Sequence, residues 1–265
     1  MQRVDYLTIG GLGLLLMPLL TMWHEIGGHA AVCAIQGGHV TTIGAFYVEC
    51  DGLSGQGNIL VACAGVGVNV LFAIAAYFCW RRAVRGDVSD LIQIILWLVW
   101  VSEAFVASGY FLFSGVSGVG DLGVGEGGNL SNLELTLPVQ IFEISIGLVS
   151  YILLVRAANR ALNVMIGNGP GTRPIRRIIA NGYYVSAGAA AVLVGLLNPV
   201  GIVITVMSAA ASSFGGLAGF ISIGYAAGRD GKAVPILIRR NLALVGAGVA
   251  ASVAFALILG PSLHF

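Results

Sequence analysis

The sequence predicts an all-α, polytopic transmembrane bundle of about seven helices, with a short β-hairpin between the first two. Three observations predict it. Of 265 residues, 57% are hydrophobic and only 9% charged, where a soluble domain carries about 25% charged residues; the mean hydropathy is +0.93. Apolar runs of about 20 residues, the length that crosses a bilayer, recur along the whole chain. All thirteen Lys and Arg residues fall in alternate segments between those runs.

The runs lie at 6–33, 58–80, 91–114, 137–156, 178–197, 200–227 and 242–259. The first is too long for the core of a cleavable signal peptide and carries the polar motif described below, so no signal peptide is expected. The fifth and sixth are separated only around Asn198-Pro199. Between the first two, residues 40–57 combine a β-branched and aromatic stretch with the turn-like Asp51-Gly52-Leu53-Ser54-Gly55, which reads as a hairpin. An exposed strand edge there could accept an added strand of substrate. No linker or second soluble domain interrupts residues 1–265, and the 39 glycines suit close helix packing in a membrane.

Charge sets the expected orientation. Arg3 precedes the first run; Arg81, Arg82 and Arg85 follow the second; Arg156, Arg160, Arg173, Arg176 and Arg177 follow the fourth; Arg229, Lys232, Arg239 and Arg240 follow the sixth. The positive-inside rule makes that face cytoplasmic, with the N-terminus inside and the C-terminus outside a plasma (inner) membrane. A formal net charge of +1 argues against nucleic acid as a partner. The cysteines Cys33, Cys50, Cys63 and Cys79 contain no C-x-x-C pair, which excludes a zinc ribbon. Cys33 and Cys50 could come near one another on one face, but buried small thiols are the expectation.

The first run contains Trp23-His24-Glu25-Ile26-Gly27-Gly28-His29. Ionisable groups inside a membrane segment are expensive, which points to function. Two histidines flanking a glutamate supply two imidazole ligands and a general base in zinc hydrolases. The usual spacing is i, i+4, about 40° apart on a helix; here it is i, i+5, about 140° apart on a regular helix. A one-residue π-bulge at Gly27-Gly28 would bring the rings together again. At 1.5 Å per residue, His24 stands roughly 27 Å above Tyr6, nearer the extracytoplasmic face.

A catalytic zinc needs a third protein ligand and an open position for water. Asp121, in a glycine-rich segment just past the third run, is favoured as that ligand. Glu103, inside the third run at similar depth, is the other carboxylate, placed as an indirect partner of the centre or a proton-handling group. Glu126 and Glu134 are looser possibilities. Glu143 is expected to be structural, and His39 and His264 solvated.

At these residues the chain resembles the site-2 protease family of intramembrane zinc metalloproteases, in its short, domain-poor form. The likeness covers about the first half. It consists of His24-Glu25 with His29, the following Gly37-Gly38 and hairpin, and Ala64-Gly65-Val66-Gly67-Val68-Asn69. That stretch is similar to the family's Ala-Gly-Pro-x-x-Asn element, with Val66 in place of proline; Gly120-Asp121 is similar to the family's distal aspartate ligand. Three features depart from the family: the histidine spacing is one residue long, the distal motif reads Gly-Asp-Leu-Gly, and charge turns the site toward the extracytoplasmic face.

The resemblance implies a metalloprotease-like core over 1–135, with additional transmembrane helices over 136–265. It implies Zn2+ on His24, His29 and Asp121, Glu25 as the catalytic base, and Asn69 bordering the substrate cleft. The substrate would be a membrane protein or peptide presented within the lipid bilayer. Two alternatives stand beside this: a metal-free relative of the protease, and a membrane transporter or binding protein in which Glu25, Glu103 and the histidines form an ion or proton pathway.

Overall fold

The structure, a computed structural model, describes residues 2–86, 88–133, 136–202 and 205–265; the candidate Glu134 lies outside them. Five helices are long and apolar enough to cross a membrane: α1 (Tyr6–Ile35), α2 (Gly55–Arg85), α3 (Asp90–Ser117), α4 (Thr136–Ile166) and α5 (Pro170–Gly195). After them come a π-helical segment α6 (Thr205–Gly215), a short α7 (Gly219–Tyr225) and a 17-residue α8 (Leu242–Ile258).

The interruptions have local causes. Pro18 sits inside α1 and has no N–H to give the Leu14 carbonyl, and the Ser252 hydroxyl on α8 donates to that carbonyl instead, at 2.6 Å. The sixth apolar run is one continuous span in the sequence reading but two pieces in the fold, broken between α6 and α7. There the Tyr151 hydroxyl on α4 donates to the Gly216 carbonyl and accepts from the Gly219 N–H, both at 2.7 Å. One phenol thus satisfies two backbone groups that the helix break releases.

α3 is the central helix, with Trp97, Leu98, Val101 and Phe105 at or near zero exposure, packed between α2 and α4. Its Trp97 indole donates to the Ala158 carbonyl on α4 at 3.1 Å. α4 turns large apolar side chains outward, among them Ile141, Phe142, Val149 and Leu153, as a helix at a lipid boundary would. α8 packs along α1, and α5 lies between α1 and α6.

The two ends of the bundle differ. At one end β1 (Gln2–Val4) pairs in parallel with β4 (Ile236–Ile238), and Asp5 caps α1 while holding Arg240 at 3.2 Å. The Asp90 carboxylate accepts from the Leu237 N–H at 2.8 Å, and Asn168 N–H donates to the Lys232 carbonyl at 3.2 Å. Arg176, fully buried, donates to Thr172, Asn159, Asn163 and the Gly167 carbonyl. The segments that carry Arg3, Arg176, Lys232 and Arg240 are therefore held by contacts at this end.

At the other end, β2 (His39–Ile43) and β3 (Val48–Asp51) form the antiparallel hairpin. It is shorter than the 40–57 expectation, because α2 already begins at Gly55. The far edge of β2 is taken at Thr42–Ile43 by β5 (Leu263–His264) from the chain's own C-terminus. The thiol expectation is overturned here: Cys33 and Cys50 form a disulfide. Gly38 lets the two meet, since a β-carbon on it would lie 3.0 Å from both sulfurs.

Candidate metal centre

The centre begins with a widening of α1. Residues Trp23–Ala30 are π-helical, and the extra residue per turn brings His24 and His29 onto one side of the helix. Their Nε2 atoms lie 3.2 Å apart, with the rings near perpendicular at 75°. Gly28 makes room, because a β-carbon there would sit 2.7 Å from the Gly65 α-carbon on α2. Gly65 is as important: a β-carbon on it would fall 2.5 Å from His24 Nε2 and closer still to His29 Nε2. The paired glycines let two helices approach until both imidazoles share a cleft free of side chains.

Asp121 arrives from the loop after α3. Gly118 ends that helix with φ +73° and Gly120 has φ +87°, conformations that favour glycine. The loop folds on itself through Gly125 N–H to the Gly118 carbonyl at 2.8 Å and Leu130 N–H to the Gly123 carbonyl at 2.8 Å. Leu122, Val124 and Leu130 then plug into an apolar cluster with Ala62, Val66 and Ala107. So anchored, Asp121 Oδ2 lies 3.0 Å from His24 Nε2 and 3.3 Å from His29 Nε2. Burial by itself would raise the Asp121 carboxyl, but the two histidines outweigh it and hold it well below the usual carboxylate range.

These distances match a metal-binding set. Zinc–ligand bonds of about 2.05 Å imply edges of roughly 3.3 Å between ligand atoms in a tetrahedron. The three edges here are 3.0, 3.2 and 3.3 Å. Proton bookkeeping is more telling. His29 Nδ1 sits 2.7 Å from the Val61 carbonyl, which can only accept, so Nδ1 carries a proton; loss of the proton on Nε2 would then turn that lone pair inward. His24 Nδ1 lies 3.2 Å from the Asn69 side-chain amide. With its oxygen on that N–H, the amide nitrogen donates to the Gly65 carbonyl at 3.1 Å and to Glu103 Oε2 at 3.2 Å. With a proton on each Nδ1 and none on either Nε2, His24 Nε2, His29 Nε2 and Asp121 Oδ2 would converge as three lone-pair donors, a set that could hold a metal ion.

The structure brings together His24, His29 and Asp121, the group of His, Cys, Asp and Glu side chains among the described residues that could hold a metal ion. Glu25 lies beside them, buried, with Oε2 lacking a hydrogen-bond partner among the described residues. Asn69 sits behind His24 and also lines the cavity that His24 and Glu25 wall. Glu103 touches Asn69 and offers the centre no ligand atom. Glu126 is exposed on the loop. Glu143, buried on α4, is not in the ligand group.

Two small cavities flank the centre. One, of about 60 Å³, is walled by His24, Glu25, Glu103, Tyr183, Ser212 and Ser213 among others. The second, of about 50 Å³, lies on the Asp121 side. Phe46 from the hairpin turn, Tyr110, Ser208 and Ser212 line both. Sequence reading missed Tyr110, which stacks on His24 at 4.9 Å and 10°, and the serines of α6 that line the cavities. A serine pair one turn apart in an apolar run, as at Ser208 and Ser212, was the available signal. No family profile, curated protein or solved structure matches the chain.

Proposed function

We propose that the chain is a zinc-dependent intramembrane peptidase that cleaves membrane-protein or peptide substrates. The observation that carries this reading is the convergence of His24 Nε2, His29 Nε2 and Asp121 Oδ2 within 3.0–3.3 Å, with His29 Nδ1 committed to the Val61 carbonyl. Zinc held there would supply Lewis acidity toward a water and a carbonyl. Glu25, buried beside the ligands and short of a hydrogen-bond partner, takes the proton from the attacking water and hands it to the leaving amine. Asn69 and Glu103 hold the His24 ring in the tautomer that presents Nε2.

The same reading puts the bundle across a plasma (inner) membrane, with the arginine-rich end in the cytoplasm and the hairpin, disulfide and metal centre toward the outside. A disulfide at the hairpin end suits an oxidising compartment. Substrate reaches Glu25 in extended form. The outer edge of β3 has no strand partner among the described residues and is where an added strand would pair, since β5 occupies part of the β2 edge.

A second reading has one observation in its favour. Glu103 faces the same cavity as Glu25, next to the Ser102–Tyr183 hydroxyl pair at 2.9 Å, as a proton-conducting transporter or a metal-free relative would allow. Elemental analysis with a cleavage assay separates them. The peptidase binds about one zinc per chain, loses it in His29→Ala, and in Glu25→Gln keeps zinc while turnover falls by about a hundredfold or more. A chain without zinc, or Glu25→Gln at full turnover, would remove the reading.

A further inference from the structure

A large apolar recess lies outside the cavities that flank the metal centre. α2 and α4 each pack on α3 but not extensively on one another, which leaves a groove of about 580 Å³ with α3 as its floor. The floor is deep because Ala104, Ala107 and Ser108 are small and buried, while Phe78 and Ile146 rise as exposed walls. This volume falls within the range of about 300–1,000 Å³ typical of ligand sites.

One end of the groove is basic. Phe78 also lines an adjoining recess formed with Arg81, Arg82 and Arg85. The Arg81 guanidinium stands 5.8 Å over the ring of Tyr77, itself a groove residue. None of these three arginines forms an ion pair among the described residues. From the far wall, α4 adds exposed Arg156 and Arg160 beside Ala157, which lines the groove. An apolar trough ending in a cluster of guanidinium groups with no ion pair among the described residues matches a molecule with a long hydrocarbon chain and an anionic phosphate at one end.

We propose that this groove is a binding site for one anionic phospholipid, its acyl chain along Ala104 and Ala107 and its phosphate on Arg81 and Arg85. Basic recesses between membrane helices at the cytoplasmic side bind such headgroups. The inference rests on the bilayer placement proposed above and is independent of the peptidase chemistry.

The test uses the full chain, delipidated in an uncharged detergent. Dioleoyl-phosphatidylglycerol or dioleoyl-phosphatidylcholine is added, and retained lipid is counted by native mass spectrometry. The wild type is expected to retain phosphatidylglycerol about tenfold more tightly than phosphatidylcholine. The double variant Arg81→Gln, Arg85→Gln is expected to lose that preference, and Ala104→Phe to weaken retention of both lipids, each with zinc content unchanged. Equal retention of the two lipids by the wild type, or a preference that survives the arginine substitutions, overturns the proposal. So does competition by inorganic phosphate as effective as that by the lipid, which would make the site one for free phosphate. A dimer that Ala104→Phe dissociates while lipid retention stays unchanged overturns it too, by making the groove a protein interface.

Discussion

At Gly65 the metal centre depends on a missing atom. The position on α2 faces both Nε2 atoms, and any β-carbon would crowd the two nitrogens that the proposed ion would need. Gly65→Ala is therefore expected to abolish zinc retention while helix content, read by circular dichroism, stays at the wild-type level. Stoichiometric zinc in that variant would show that the imidazoles do not converge there. The candidate ligands His24 and His29 were legible in the sequence, because ionisable groups inside an apolar run have few structural uses. Tyr110 was not legible. A tyrosine in an apolar helix carries no signal of its own until its ring is found stacked on His24. Asn69 was legible as a site residue, but its position behind His24 depends on how α2 crosses α1.

Elements explain why an irregular spacing can work. The i, i+5 separation of His24 and His29 demands a wider turn, and α1 is π-helical over Trp23–Ala30. The requirement could be read from residue numbers alone; the number of residues involved could not. The disulfide shows the limit of spacing arguments. Cys33 lies in the last turn of α1 and Cys50 in β3, separated by 17 positions, and only the hairpin's fold-back makes them neighbours. Closing a loop of that size is worth about 3 kcal/mol in the chain-entropy account. Reduction of the purified chain, or Cys33→Ser with Cys50→Ser, is therefore expected to lower the thermal midpoint by several degrees. An unchanged midpoint would mean that α1 and the hairpin hold each other without the bond. The hairpin was visible from its β-branched composition, whereas the pairing of β5 on its edge was not, because Leu263 and His264 carry no strand signature of their own.

For the whole molecule, the one-sided distribution of thirteen basic residues goes with a fold in which the N-terminal strand, the Asp90–Leu237 contact and the segments around Asn168 and Lys232 lie at one end. Cysteines introduced at exposed Glu126, on the metal-centre side, and exposed Arg229, on the basic side, should differ in whole cells. A membrane-impermeant maleimide is expected to label Glu126→Cys directly and Arg229→Cys only after lysis; the reverse pattern would invert the proposed orientation. The sequence by itself determined that apolar helices dominate, that the charges segregate, and that two histidines, a glutamate and an aspartate are candidates for one centre. Those properties follow from solvation and local geometry, which act on each segment separately. The splitting of the sixth run into α6 and α7, the Cys33–Cys50 bond, the glycine contact that opens the cleft and the groove over α3 were decided by tertiary structure alone. Each depends on which surfaces meet across many intervening residues, and no local preference encodes that.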